Sequence, residues 1–388
     1  MAGHTCKVIR LGGQLEVAEL RDAIAERLPQ APQLQFRLGG SDEVPEWVVD
    51  AKIDLDRHVV DAGEFSAGGA EEAVAAIFAR RLERDRPLWC LDVVRGDRET
   101  VLVWRIHHAL ADGMTTMRIA ESVLFDPAAA EGGQSPSAHP AKSAAPSSEG
   151  HAGFLLREFG RSFRHGPFDA APGRDRAVAF ATASLLPLHD AAKRVAGATL
   201  NDAVLVSVAG GVRRWLAQHH GKSETLRIKV PVSLHSAGDD LGNRDSFFIV
   251  GVPLHEEALA DSLAAVHRET ALRKQRHDAE EMDSLLRHLG SVSGGLRRIV
   301  DRIERTGRSF ALNVSNVPGP QRELSVRGIP VASFHSLAEI APHHSLRVAV
   351  VSAAGRLNFG LVADPGVVDD PAVIAAGIEE EAARIIAA

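Results

Sequence analysis

The chain has few of the features that announce a protein class at a glance. Its two cysteines, Cys6 and Cys90, are too few for a disulfide framework or a thiolate metal cluster. The opening MAGHTCKVIRLGG lacks the apolar core of about 7–15 residues that a signal peptide needs. The longest apolar run, residues 203–212, is broken by Ser207, Gly210 and Gly211 and falls far short of the ~18 residues that span a bilayer. These absences predict a cytoplasmic protein. Peripheral contact with the inner membrane face or a lipid droplet stays open, because it needs only an exposed apolar patch or a basic face. There is no basic excess either: 44 Lys and Arg stand against 51 Asp and Glu, a net charge of -7, which argues against nucleic acid as the main partner. No internal repeat is visible, and no G-x-S-x-G nucleophile elbow occurs.

What is present is ordinary globular patterning, 45% apolar and 24% charged, over 388 residues. At ~150 residues per domain this length predicts two or three domains, or one two-lobed unit. The clearest break in composition is an Ala, Ser, Pro and Gly-rich stretch from Asp126 to Gly153, which has too few large apolar side chains to bury a core. We therefore divide the chain into an N-terminal lobe (1–125), a flexible linker (126–156) and a C-terminal lobe (157–388). In the first lobe the pattern predicts helices over 15–28 and 71–83, strands over 89–94 and 100–106, and a helix carrying Met114, Met117, Ala120 and Val123 on one face. The helix near Leu15 is the first element read, with no strand ahead of it. In the second lobe, Thr199 and Asp202 stand as a capping box before a long helix. Strands follow over 226–232, 246–254, 309–314, 346–351 and 357–362, and Asp370-Pro371 opens a last helix. Strands alternate with helices in both halves, so the class is α/β or α+β.

The segment that can carry chemistry is His107-His108-Ala-Leu-Ala-Asp112-Gly113. A strand ending in histidine presents an imidazole at a sheet edge, where it can take a proton from a hydroxyl near neutral pH and return it to a leaving group. Neighbouring residues on a strand point to opposite faces, which gives one histidine to the site and one to packing. A purely structural pair, or an adventitious metal site, is the alternative. Asp112 can pair with an arginine or cap the next helix, and Gly113 permits a tight backbone.

HHALADG matches HHxxxDG, the signature of chloramphenicol-acetyltransferase-like acyltransferases. Five further segments follow the same order along the chain: Pro87-Leu88-Trp89, Asn201-Asp202, Pro231-Val-Ser233 with Gly242-Asn243-Arg244, Ser315-Asn316-Val-Pro-Gly-Pro320, and Leu357-Asn358-Phe-Gly-Leu-Val-Ala-Asp364. Together they resemble the bacterial wax ester synthase/diacylglycerol acyltransferase family from about Leu28 to Asp370. Members usually open with a longer segment bearing a Ser-x-x-Asp-x-x-Phe type motif, whereas this chain starts close to its first helix.

The resemblance implies two chloramphenicol-acetyltransferase-like lobes, each a mixed sheet backed by helices, with the active site between them. It implies transfer of a fatty acyl group from acyl-CoA, as co-substrate and with no cofactor or metal, to diacylglycerol or a fatty alcohol. His108 would be the general base, with His107 packed, Asp112 orienting the loop through an ion pair, and Gly113 shaping the backbone. Asn201, Asp202 and Asn316 are candidate contacts to the oxyanion or acceptor, although Asn201 and Asp202 equally suit helix capping. Pro87, Leu88 and Trp89 are candidates for the core or an acyl channel. The pair His343-His344 lacks a following Asp-Gly and reads as structural. The arginines between 285 and 305 suit a solvated helix face, coenzyme A phosphates or an anionic surface. Two other readings share these residues: a polyketide-associated or condensation-type acyltransferase using a carrier-bound donor, and a paralogue that binds lipid without turnover.

Overall fold

A computed structural model of the chain describes residues 3–41, 45–50, 52–66, 68–127, 166–219, 224–233, 245–254, 258–278 and 310–388. The Gly-Asn-Arg motif at 242–244, the arginines between 285 and 305, and all of the proposed linker beyond Pro127 lie outside them.

The N-terminal half runs β1 (His4–Leu11), α1 (Val17–Arg27), two short 3-10 turns, β2 (Phe36–Gly40), β3 (Pro45–Val49), α2 (Leu55–His58), β4 (Val59–Glu64), α3 (Ala70–Phe78), β5 (Trp89–Arg95), β6 (Thr100–His107) and α4 (Gly113–Val123). The C-terminal half runs β7 (Ala177–Ser184), α5 (Leu185–Ala196), α6 (Leu200–His219), β8 (Thr225–Ser233), β9 (Asp245–Pro253), α7 (Leu259–Gln275), β10 (Leu312–Pro318), β11 (Ser325–Val326), β12 (Ile329–Ala338), β13 (Leu346–Ala353), β14 (Arg356–Ala363) and α8 (Pro371–Ala387).

Two mixed six-stranded sheets form the frame, in the orders β11-β12-β1-β6-β5-β4 and β7-β14-β13-β10-β8-β9. The lobes in space therefore differ from the halves in sequence, because β11 and β12 cross over to complete the first sheet. The expectation that no strand precedes α1 is corrected: β1 sits near the middle of that sheet, antiparallel to β12 on one side and β6 on the other. Asp126, placed by composition at the head of the linker, is fixed in the fold. Its carboxylate accepts from Ser325 Oγ at 2.7 Å and from the N–H groups of Arg327 and Gly328 at 3.0 and 2.8 Å.

Three apolar layers hold the frame. One lies under α1 and α4, around Ile9, Trp89, Trp104 and Met117. One fills the space between the sheets, where Cys6, Val8, Phe78 and Val103 meet Val178 and Val362. The third lies between the second sheet and α5 to α8. Glycine sets the spacing at two of these contacts. A Cβ on Gly211 of α6 would fall 2.4 Å from the Ile374 carbonyl, so α6 and α8 touch backbone to backbone. A Cβ on Gly360 of β14 would fall 2.1 Å from the Ser336 carbonyl, which presses the two sheets together. This explains the glycines that break the 203–212 run and the glycine of the LNFG segment.

Candidate active site

β6 delivers the histidine pair. Its register opposes His107 to His4, and Ile106 and Trp104 to Thr5 and Lys7, so alternation sends the two faces into different layers. His107 is half-buried with its Nδ1 accepting the Ala109 N–H at 3.1 Å, which places the ring proton of the neutral form on Nε2. Burial, reinforced by His108, the chain's N-terminus and Arg84, lowers the His107 pKa below the usual histidine range. His107 is thus the last residue of the strand, half-buried and favoured in its neutral form.

His108 begins the loop beyond the strand, its N–H donating to the Gly3 carbonyl at 2.6 Å. Its ring is half-buried, and Nδ1 is buried without a hydrogen-bond partner among the described residues. His4 and His58 differ, since each gives a ring nitrogen to a backbone carbonyl, Phe78 O and Trp89 O, at 2.8 Å. His343 is exposed and pairs with Asp169 at 2.8 Å, and the buried His344 stacks flat on Phe310 with ring centroids 3.9 Å apart.

Asp112 caps α4, its Oδ1 accepting the Thr115 N–H at 2.7 Å. Capping is one way its carboxylate orients this turn, and its charge also acts on the buried Lys7 ammonium. Gly113 does not adopt a left-handed conformation. A Cβ there would press on Val317, whose methyl lies 3.2 Å from where it would stand, so the methyl would have to yield by a few tenths of an ångström. The HHxxxDG loop is therefore wedged against β10, in the Ser-Asn-Val-Pro-Gly-Pro segment, and the two motifs meet where the lobes meet. Gly319 continues the contact, since its Cβ position lies 3.6 Å from the Met117 methyl of α4.

The remaining candidates separate. Asn316 is half-buried on β10, next in sequence to Val317, which touches the loop at Gly113. Asn201 is half-buried in the first turn of α6. Asp202 is wholly buried and fully engaged: one oxygen accepts the Thr199 N–H and hydroxyl, both at 2.8 Å, and His267 Nδ1 at 2.9 Å, while the other accepts the Thr270 hydroxyl at 2.7 Å. Burial pushes this carboxyl up, but hydrogen bonds from Thr270, Thr199 and His267 outweigh it and hold the pKa below the usual range. The Asp202 N–H in turn donates to Thr199 Oγ1 at 3.3 Å, completing the capping box. Leu88 and Trp89 are core side chains, 2% and 1% exposed. The Leu88 carbonyl accepts the His107 N–H at 2.9 Å, and Trp89 Nε1 donates to the Leu34 carbonyl at 2.9 Å. Pro-Leu-Trp therefore props the histidine strand, and the apolar space beside Trp89, lined by Ile24, Leu34 and Trp104, is too narrow for a water molecule.

Sequence reasoning missed Lys7. It is fully buried on the face of β1 shared with Trp104, with Nζ donating to Ser336 Oγ at 2.8 Å. Burial lowers its pKa to about 8, opposed by Cys6 and Asp112. A lysine inside the alternating segment HTCKVIRL was the only signal.

A strand-end His-His with a capped Asp-Gly turn, held where two mixed sheets meet, defines a chloramphenicol-acetyltransferase-like acyltransferase. Comparison with known proteins gives the family. Residues 7–164 match the wax ester synthase/diacylglycerol acyltransferase catalytic domain, and residues 241–385 match the WS/DGAT C-terminal domain. The chain belongs to the wax ester synthase/diacylglycerol acyltransferase family and is an acyl-CoA-dependent acyltransferase. It is 28% identical, over 88% of its length and 81% of the relative's, to a probable diacylglycerol O-acyltransferase of Mycobacterium tuberculosis. A second protein of that organism, named for the same activity, is 27% identical over 97% of this chain and 90% of its own. Among solved structures, a wax ester synthase/diacylglycerol acyltransferase from Marinobacter aquaeolei superposes with a TM-score of 0.71 at 21% identity, covering 99% of this chain and 94% of that one. The starter condensation domain of rhizomide synthetase, a double mutant in complex with C8-CoA and Leu-SNAC, superposes at 0.58 and 16% identity, covering 99% and 88%.

Proposed function

We propose that this enzyme transfers a fatty acyl group from acyl-CoA to the free hydroxyl of diacylglycerol, making triacylglycerol, with His108 as general base. The observation that carries the base assignment is the His108 ring, set at the meeting of the two lobes with Nδ1 unpartnered among the described residues, while His4 and His107 each have a ring nitrogen in a hydrogen bond. The ring takes the acceptor's hydroxyl proton as its oxygen attacks the thioester carbonyl. The tetrahedral intermediate then collapses, the carbon–sulfur bond breaks, and the imidazolium returns the proton to the departing coenzyme A sulfur. Direct transfer needs no enzyme nucleophile. Neither cysteine suits that role, since burial raises the Cys6 thiol pKa far above its ordinary value and that of Cys90 to about 11.

Diacylglycerol is favoured as acceptor by the names of the Mycobacterium tuberculosis relatives, and a long-chain alcohol by the Marinobacter neighbour. Thiol release from palmitoyl-CoA, measured with dioleoylglycerol and with hexadecanol, ranks the two. His108→Ala should lower turnover by about 10²–10⁴-fold with either acceptor. Undiminished turnover in that variant would remove His108 from the reaction.

A further inference from the structure

β2 and β3 form a two-stranded sheet of their own, paired with neither larger sheet. The register sets Phe36 opposite Val49, Leu38 opposite Trp47 and Gly40 opposite Pro45. Directly opposed side chains share a face, so one side of the ribbon carries Phe36, Leu38, Pro45, Trp47 and Val49 and no charge. The other carries Arg37, Glu46 and Val48. All of β3 is exposed, with Trp47 at 43% and Val49 at 58%. A free two-stranded hairpin is marginal in water unless its apolar face packs on something. On this face Pro45, Trp47 and Val49 are exposed and Phe36 and Leu38 half-buried, and exposed apolar surface of this kind marks a docking site.

The root of the ribbon is tied to the catalytic frame. The Asp50 N–H donates to the Gln35 carbonyl at 2.7 Å, and the neighbouring Leu34 is wholly buried, its carbonyl held by Trp89. The adjoining Leu88 carbonyl holds His107.

Charge selects the occupant. Between Phe36 and Asp50 the described residues carry one cation, Arg37, which faces Asp50 at 4.0 Å, and two acids, Glu46 and Asp50. Anionic headgroups are drawn by clustered lysine and arginine, which the ribbon lacks. A tryptophan beside aliphatic side chains suits the boundary between lipid and water.

We infer that the apolar face of the β2–β3 ribbon docks the enzyme on an uncharged lipid surface, the phase in which a diacylglycerol acceptor and a triacylglycerol product dissolve. The inference rests on the acceptor reading given above.

The tryptophans make it testable. The chain has no tyrosine and four tryptophans, and Trp89, Trp104 and Trp215 are at most 2% exposed, so a lipid-dependent change in emission reports Trp47. With the full chain and phosphatidylcholine vesicles containing dioleoylglycerol, emission should shift to the blue and acrylamide quenching should fall several-fold. Trp47→Phe should keep co-sedimenting while losing that response. Trp47→Asp with Val49→Asp should lose about tenfold or more in vesicle affinity. The same variant should lose turnover of vesicle-borne dioleoylglycerol and keep kcat/KM for a soluble short-chain diacylglycerol. Co-sedimentation with unchanged emission would overturn the inference, as would a blue shift that follows protein concentration without lipid, which would give the face to a second copy of the chain. Silence of the wild type with every acceptor would count against the acyl-transfer reading, and the emission measurement would still decide the docking face by itself.

Discussion

Lys7 keeps an ammonium group wholly inside the protein, with Ser336 Oγ as its hydrogen-bond partner among the described residues. In the unfolded chain such a group titrates at 10.5, and in the fold at about 8. Below pH 8 the folded protein holds the proton at a cost of about 3 kcal/mol, and stability climbs as pH rises from 8 to 10.5. Lys7→Met fills similar space without the charge, at the loss of a hydrogen bond worth about 1 kcal/mol. It should stabilise the protein in urea at pH 7 by about 1–3 kcal/mol, a gain that shrinks to nothing by pH 10.5. A gain equal at both pH values would place its origin in packing instead. At this scale the sequence was most legible where spacing is short: the Asp112 cap on Thr115 and the Thr199–Asp202 box act within three residues, whereas the bonds of Asp202 to His267 and Thr270 come from far along the chain. The tight fit at Gly113 was not legible, since Val317 comes from a strand some two hundred residues on.

Among the helices, α6 and α8 meet backbone to backbone. A methyl on Gly211 would collide with the Ile374 carbonyl and Ile378, and Gly377 also lies close, its Cβ position 2.8 Å from the Gly211 Cα. The backbone cannot yield as a flexible side chain can, so Gly211→Ala should cost about 1–3 kcal/mol or more by urea denaturation. Gly197, which closes α5 with φ +65 and open space around it, should cost only about 1 kcal/mol when changed to Ala. If the two variants lost equal stability, the close approach would not be what fixes this helix pair. The helices α1, α4, α6 and α8 were readable because their apolar faces and caps are local. β1 was not, because it is buried on both faces and its pattern is interrupted by His4, Lys7 and Arg10. β12 was missed for a similar reason, with Ser333, His335 and Ser336 among its apolar residues.

For the molecule as a whole, acid is the weak side. His4, His58 and His335 lie in separate parts of the first lobe, 7%, 1% and 4% exposed. Burial, the largest influence on each, lowers their pKa values to about 4, 4 and 3 against 6.5 when unfolded. They stay neutral in the fold, so stability is full above pH 6.5 and falls as pH drops toward 4, where the unfolded chain binds the extra protons. Each contributes about 1.4 kcal/mol per pH unit, roughly 4 kcal/mol together at pH 5.5. Against a total of about 5–15 kcal/mol, the urea midpoint should drop steeply between pH 7.5 and 5.5. A flat profile would show that these rings titrate normally. The two-lobed architecture itself came through the ordered motifs and not through any single pattern. The exchange of β11 and β12 between lobes has no local trace, because strand pairing over such distances leaves no period in the sequence.

That exchange also fixes an order of events during synthesis. β1 pairs with β12 through Thr5–Ala338, so the first lobe cannot close its sheet until residue 338 has left the ribosome. Until then one edge of β1 offers its unpaired backbone groups to any passing strand. His107 and His108, at the end of the strand on the other side of β1, are made early and must wait for nearly the whole chain before that sheet is complete.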